Sequence, residues 1–122
     1  MSGAYVLHTS AFLALEKEGP GGDRVAEVLE RRAVMSAFNW LEVLVGWGEL
    51  LPEALQLLAG TAVVVVSFEE EDAWAAAKLS ATGLSLGTCA CLVTARTVGL
   101  PVLTADKAMA DLDVGVTIEV IP

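Results

Sequence analysis

The run TAVVVVSF at residues 61–68 limits the possible folds of this chain most strongly. Four consecutive valines favour an extended strand, because branching at Cβ restricts side-chain rotation in a helix. A run without polar alternation is typical of a strand that is buried on both faces, as the strands of parallel sheets are. We therefore predict a buried strand at residues 61–68.

The rest of the chain alternates between short apolar segments and helical patterns. Further strands are predicted at 4–7, 33–36, 100–103 and 116–121. The first helix is expected to begin at Thr9 or Ser10, whose hydroxyl caps it, and to end near the glycines that follow Gly19. Further helices are expected at 23–32 and 37–50, from Pro52 and from Glu69. A helix capped by Ser85 is expected at 86–98, and a short one begins at 104–106. This order predicts an α/β protein, a three-layer α/β/α fold with a central parallel sheet of about five strands. Because no linker or repeat interrupts it, we expect a single domain, residues 1–122.

The composition of the chain bears on its cellular location and on its contacts with other proteins. Of the 122 residues 55% are hydrophobic and 19% charged, which predicts a self-association surface or a partner groove. No apolar run approaches the roughly 20 residues of a membrane span, and no basic residue precedes the first apolar stretch, as a signal peptide would require. We expect a cytoplasmic protein, with Cys89 and Cys91 as buried, reduced thiols.

Candidate site residues lie where the predicted strands end. In open parallel sheets, ligands gather beyond the carboxyl ends of the strands. His8 follows the first strand, Thr88 lies at the start of the helix predicted at 86–98, and Asp106 follows the fourth strand. Glu42 is an acid within an apolar helix, and such an acid is costly to bury unless it is paired or metal-bound.

Four segments around these residues carry a family resemblance: YVLHTSAFLAL, NWLEVL, LSLGTCAC and LPVLTADKAM. In this order and spacing they resemble the motifs of the PIN-domain family, and in particular VapC-like toxin ribonucleases. The resemblance covers almost the whole chain. It implies a PIN-like fold and metal-dependent hydrolysis of RNA phosphodiester bonds, in which carboxylates hold Mg²⁺ or Mn²⁺. It also implies a homodimer and an antitoxin partner.

Carried over by residue, the resemblance assigns two metal-binding and catalytic acids, Glu42 and Asp106. His8 and Thr88 stand where the family has two further aspartates. A neutral imidazole is a poor ligand for Mg²⁺, and a threonine hydroxyl supplies no charge. We therefore expect a VapC-type toxin ribonuclease of a toxin–antitoxin system with weakened or lost catalysis. The alternative is a non-catalytic interaction module that acts through dimer or antitoxin binding.

Three interpretations of the altered acidic set remain open. The chain is a pseudonuclease without metal; or Glu42 and Asp106 bind one ion with support from Asp111 or Asp113; or His8 joins them around Mn²⁺ or Zn²⁺. Ser10 is a further supporting candidate. A structural role is also open for each position: His8 bonding a backbone carbonyl, Thr88 extending the Ser85 cap, and Asp106 as an acid of a first helical turn.

The charge of the chain bears on RNA binding. Sixteen acidic and seven basic residues give a net charge of −9, which is unfavourable for phosphate contact. The best candidates for RNA contact are Lys107 and Arg96. Trp40, Trp47 and Trp74 are either core residues or anchors of a partner surface.

Overall fold

The computed structural model describes residues 3–47 and 63–122. In these ranges the strands form one parallel five-stranded sheet in the order β3-β2-β1-β4-β5. The strands are β1 (Ala4–Leu7), β2 (Arg32–Ser36), β3 (Val63–Val66), β4 (Val102–Thr104) and β5 (Ile118–Val120). The predicted α/β fold with about five parallel strands is confirmed.

Helices connect the strands. They are α1 (Thr9–Leu13), α2 (Pro20–Arg31), α3 (Ala37–Trp47), α4 (Glu70–Ser80) and α5 (Leu86–Val98), with 3₁₀ turns at Ala14–Glu16 and Lys107–Asp111. Within the described ranges, none of these helices is long and apolar enough to cross a membrane. The helix predicted from Pro52 lies outside the described residues, as do residues 48–50 and 61–62.

The sheet has a separate core on each face, which makes the three layers. On one face, side chains such as Leu7 and Met35 pack with Phe12 of α1 and Val25 of α2. On the other, alternate residues of the same strands pack with Leu92 and neighbouring residues of α5. Successive strand residues point to opposite faces, so the short strands contribute to both cores.

The valine strand differs from the prediction. β3 forms at Val63–Val66, but it lies at the edge of the sheet, where Val64 is 45% exposed and Val65 42% exposed. The expectation of burial on both faces was wrong. The valines favour an extended backbone, whereas the position of a strand within the sheet depends on the rest of the chain.

The first helical segment also differs. α1 is five residues long and is capped by the imidazole of His8, which accepts a hydrogen bond from the Ser10 amide, rather than by a hydroxyl. The second helix begins at Pro20 instead of Asp23, because proline is well tolerated in a first helical turn. α5 was predicted correctly: Ser85 caps it, and Gly99 ends it with a positive φ of 70°.

The two cysteines lie on α5 and are both free and buried, as predicted. Burial raises the pKa of the Cys91 thiol to about 12, so it stays protonated at neutral pH.

Candidate functional site

The carboxyl end of the central strand β1 is where the predicted site residues meet. His8 follows β1 directly and lies beside β4, because its amide donates to the Leu103 carbonyl at 2.9 Å. Its imidazole reaches Thr88 in the first turn of α5. Glu42 and Asp106 are the two carboxylates whose charges act on the His8 ring. The structure thus places His8 in hydrogen-bond contact with Thr88, with Glu42 and Asp106 near enough for their charges to act on its ring.

Both ring nitrogens of His8 are engaged. Nδ1 accepts from the Ser10 amide at 3.2 Å and lies 2.7 Å from Ser10 Oγ. Because a backbone amide can only donate, Nδ1 carries a lone pair, and the proton of the neutral ring is on Nε2. Nε2 then donates to Thr88 Oγ1 at 3.1 Å.

The charge state of His8 follows from its burial. Desolvation lowers the pKa of the imidazole below its usual 6.5, while Glu42 and Asp106 oppose this shift. Loss of hydration disfavours the charged ring and is the larger effect here. His8 is therefore neutral at neutral pH.

Thr88 belongs both to the site and to the cap of α5. Its amide donates to Ser85 Oγ at 3.2 Å, and Ser85 Oγ donates back to Thr88 Oγ1 at 3.0 Å. Thr88 Oγ1 therefore accepts from Ser85 as well as from His8. The alternative in which Thr88 extends the Ser85 cap agrees with these contacts.

The Glu42 carboxylate is held by hydrogen bonds from two side chains. Oε1 accepts from Thr9 Oγ1 at 2.7 Å and from Asn39 Nδ2 at 3.1 Å. α5 starts immediately against this carboxylate, because a Cβ added to Gly87 would lie 2.6 Å from Glu42 Oε2. This half-buried acid is thus hydrogen-bonded, as such groups must be.

Asn39 connects three segments beneath the site. Its side chain is fully buried, and Nδ2 also donates to the Gly87 carbonyl at 2.9 Å. Its Oδ1 accepts from Ser36 Oγ at 2.7 Å. The amide of Asn39 therefore joins the end of β2, helix α3 and the start of α5.

Ser10 joins His8 to the end of β4. Its Oγ accepts from the Ala105 amide at 3.0 Å and lies 3.2 Å from Thr104 Oγ1. Thr104 Oγ1 in turn accepts from the Asp106 amide. Asp106 is exposed, and its Oδ1 caps the following 3₁₀ turn by accepting from Ala108 at 3.0 Å.

The remaining candidates are less closely connected to this centre. Asp111 and Asp113 have exposed side chains at and after the end of the 3₁₀ turn. Arg96 is two turns along α5 from Thr88, and its Nε donates to the Val114 carbonyl. Lys107 follows Asp106, is exposed, and lines a shallow cavity of about 260 Å³ together with Lys17 and the start of α2.

The donors at this centre can be compared with the needs of a metal ion. Within residues 3–47 and 63–122, no three His, Cys, Asp or Glu side chains form a group that could hold one. The ring nitrogens of His8 are already hydrogen-bonded, and Glu42 Oε1 already accepts two hydrogen bonds. The ring of His8 and one oxygen of Glu42 are thus already engaged by protein donors and acceptors.

A known protein family matches most of the sequence. The family model described as "PIN domain" matches residues 5–115, more than half of the chain. The chain belongs to the PIN domain family. No functionally curated protein matches the sequence.

Solved structures share the fold of this PIN domain. A chain of VapBC2 from Rickettsia felis, bound to a DNA fragment from its promoter, matches with a TM-score of 0.74 and 11% identity over 98% of this chain and 99% of that one. A toxin-antitoxin complex from Klebsiella pneumoniae matches with a TM-score of 0.70 and 20% identity, covering 88% and 92%. DNA-bound VapBC from Salmonella typhimurium matches equally well, at 0.70 and 20%, covering 95% and 96%. At these identities the likeness establishes the fold.

Sequence reasoning missed three residues of the centre of this PIN domain: Thr9, Asn39 and Gly87. Asn39 carried a usable signal, because it is a polar residue three positions before Glu42 and so shares its helix face. Thr9 and Gly87 adjoin His8 and Thr88 in the chain. Their roles depend on the approach of α3, which their own neighbours in the sequence do not reveal.

Proposed function

We propose that this PIN domain is a VapC-type toxin homologue of a toxin–antitoxin system in which RNA cleavage is weakened or lost. It acts in the cytoplasm through binding to an antitoxin protein and to a second copy of itself. The observation that carries this proposal is the hydrogen bond from His8 Nε2 to Thr88 Oγ1, which joins the two positions where the family has aspartates.

The donor chemistry supports the loss of metal-dependent cleavage. Mg²⁺ gives up its hydration shell reluctantly and needs oxygen ligands, among which carboxylates offset its charge. Here a neutral ring presents an N–H, and the threonine oxygen accepts from that N–H. These residues do not fit a centre of several carboxylates around Mg²⁺ or Mn²⁺, so we assign no catalytic step to a metal.

The surface around Glu42 supports a protein partner. Leu41 and Val45 of α3 are exposed large apolar side chains, one turn apart on the helix that carries Glu42. An antitoxin segment with apolar side chains and a cation would match this combination. The neighbours titled as toxin-antitoxin and VapBC complexes also favour such a partner.

RNA cleavage in Mg²⁺ or Mn²⁺ tests the proposal directly. The native chain is compared with the double variant His8→Asp/Thr88→Asp and with the same double variant carrying Glu42→Gln. We expect a panel of structured RNAs to be cut by the double variant alone. Glu42→Gln then separates cutting at this centre from contaminating nuclease.

If the native chain cuts RNA and Glu42→Gln abolishes this cleavage, the proposal that the native chain has lost activity is wrong. If no variant cuts RNA although the double variant folds and binds metal, the proposed origin of this centre as a nuclease site is wrong. Co-purification with the product of a neighbouring short reading frame tests the antitoxin separately. In that assay Val45→Asp should weaken binding, and Lys17→Asp, an exposed change near α2, serves as the control.

A second candidate function is a weakened ribonuclease with one divalent ion. It is favoured by the two carboxylates, Glu42 and Asp106, that both act on His8. For that function the native chain would bind Mn²⁺ in calorimetry, and Asp106→Asn would abolish the binding.

A further inference from the structure

A small cavity, the Asp72 cavity, lies among the end of β3, the start of α4 and the end of α5. Its volume is about 140 Å³, and residues from all three segments line it. Val66 and Val98 form its apolar part. Its polar lining consists of Asp72, Thr94 and Thr97, with the exposed Ser67 beside them.

The hydroxyl of Thr94 is the unusual member of this lining. Thr94 is only 5% exposed, and its side chain has no hydrogen-bond partner within residues 3–47 and 63–122. Buried polar groups in folded proteins are almost always bonded to protein, to water or to an ion, because an unmet hydroxyl is costly to bury. Thr94 therefore indicates a polar occupant of the Asp72 cavity.

The other two polar side chains determine the sign of that occupant. Thr97 Oγ1 donates its proton to the Val93 carbonyl at 3.0 Å, so only its lone pairs remain available. The Asp72 carboxylate has no proton to donate, and only its Oδ2 is engaged, by the Glu69 amide at 2.8 Å. None of the described residues that line the cavity is a lysine or an arginine. The cavity therefore suits a cation and disfavours an anion.

The helix ends beside the cavity strengthen this preference. Thr97 and Val98 are the last residues of α5, and the carboxyl end of a helix carries a partial negative charge. The amino end of α4 has the opposite dipole, which its own acids offset. These acids occupy the cap and the first turn: Glu69, Glu70, Glu71 and Asp72.

The donor set fits an ion of single charge. Ca²⁺ takes about six to eight oxygen ligands, usually with several carboxylates among them, and Mg²⁺ is usually held together with substrate phosphates. Here one carboxylate and two threonine hydroxyls are present, so one positive charge is balanced. We propose that the Asp72 cavity binds a monovalent alkali cation, sodium or potassium, through Asp72, Thr94 and Thr97.

The bound ion joins the start of α4 to the end of α5. Because these groups come together only in the folded chain, the ion stabilises that state over the unfolded one. Neither His8 nor Glu42 lines the cavity. The proposal is therefore independent of RNA cleavage and of antitoxin binding.

Urea denaturation of the full chain in different salts tests the proposal. The chlorides of sodium, potassium and tetramethylammonium are compared at one ionic strength, because tetramethylammonium has the same charge but cannot bring its nitrogen against oxygen ligands. At ten times the dissociation constant of the ion, the folding equilibrium constant should rise about elevenfold over its value in tetramethylammonium. The salt with the larger effect identifies the preferred ion. Equal stability in all three salts would mean that the cavity holds water only, and would refute the proposal.

Asp72→Asn tests the role of the carboxylate. It removes the charge but keeps an oxygen that can accept from the Glu69 amide, so the cap of α4 can persist. We expect this variant to lose the stabilisation that is specific to alkali ions. Glu71→Gln is the matched control, because it removes one charge from the same helical turn outside the cavity. An equal loss in both variants would point to general charge screening and would overturn the proposal.

Thr94→Val tests the buried hydroxyl, because it replaces the oxygen by a methyl group of similar size. In tetramethylammonium chloride this variant should be at least as stable as the native chain, since it no longer buries an unmet hydroxyl. In the preferred alkali salt it should lose most of the stabilisation, and full retention would exclude Thr94 as a ligand and contradict the proposal.

Sodium NMR gives a readout that does not depend on stability. The native chain should broaden the sodium signal, potassium should reverse the broadening by competition, and Asp72→Asn should broaden it less than Glu71→Gln does. The same broadening by the two variants would place the bound sodium elsewhere and refute the proposed site.

Discussion

A single missing methyl group sets how closely α5 approaches the Glu42 carboxylate. A Cβ at residue 87 would lie 2.6 Å from Glu42 Oε2 and 2.8 Å from its Cδ. Atoms cannot remain that close, so either the carboxylate or the start of α5 would have to move. Gly87 and Glu42 are therefore coupled through their shapes as well as through Asn39.

Gly87→Ala tests this coupling. Alanine in a helix is usually the more stabilising of the two residues by about 0.5–1 kcal/mol. Here we expect it to lower the free energy of unfolding by about 1–3 kcal/mol through overpacking. Urea denaturation measures the change. In a Glu42→Ala background the same substitution should be neutral or stabilising, and an equal loss in both backgrounds would contradict the coupling.

His8 makes stability depend on pH in a predictable direction. Its pKa is lowered by burial in the folded chain, so between the folded pKa and about 6.5 the unfolded chain binds more protons. Stability contributed by neutral His8 is full above that range and is lost as pH falls through it, at up to about 1.4 kcal/mol per pH unit. Chemical denaturation at several pH values should show this slope in the native chain and not in His8→Gln. Parallel curves for the two proteins would show that His8 is not the group responsible.

At the scale of elements, local signals defined some parts of this fold and left others open. The bounds of α5 followed from Ser85 and Gly99, because capping depends on a few neighbouring residues. The edge position of β3 and the approach of α3 to α5 depend on residues far apart in the chain. For the same reason the motifs drew attention to His8, Glu42, Thr88 and Asp106 as candidates, whereas they did not reveal the hydrogen bonds that join Thr9, Asn39 and Glu42.

The Ser85 cap is a testable element of the site. Ser85→Ala removes the acceptor for the Thr88 amide and the donor to Thr88 Oγ1. We expect it to cost about 1 kcal/mol of unfolding free energy, as the loss of other N-caps does. Ser67→Ala, at an exposed serine after β3, is the control. A loss no larger than that of the control would mean that α5 does not depend on this cap.

Helix α2 is tied to β5 by a charged cluster. Arg24 donates to Glu119 Oε2 at 2.7 Å and to Oε1 at 3.1 Å, and Tyr5 Oη donates to Oε1 at 2.7 Å. The Arg24 bond lowers the pKa of the Glu119 carboxyl, so its stabilisation is present at neutral pH and is lost as pH falls through the folded pKa.

Glu119→Gln should therefore reduce stability at pH 7 by on the order of 1 kcal/mol or less, since both partners are partly exposed. Thermal unfolding at pH 7 and pH 3 measures this, and the difference from the native chain should narrow at pH 3. A difference that is the same at both pH values would contradict the role of the ionised carboxylate.

For the whole molecule, the net charge of −9 makes any added carboxylate unfavourable without a counterion. His8→Asp/Thr88→Asp adds two acids beside Glu42 and Asp106. We expect the metal-free double variant to melt at a lower temperature than the native chain. Mn²⁺ at ten times its dissociation constant should restore about 1.4 kcal/mol. The native chain should show no metal-linked shift, and a rise in its melting temperature with Mn²⁺ would contradict our proposed loss of metal binding.

The pairing of the first strand also affects the order in which parts of the fold can form during synthesis. Val6 of β1 pairs with Val34 of β2 and with Val102 of β4, so the central strand needs a neighbour that follows it by 96 residues (102 − 6). A ribosome adding 5–20 residues per second takes roughly 5–20 s to cover that distance. During synthesis β1 and β2 can pair while the place of β4 is still empty. His8 therefore emerges early but meets Thr88 and the end of β4 only after those later segments have been synthesised.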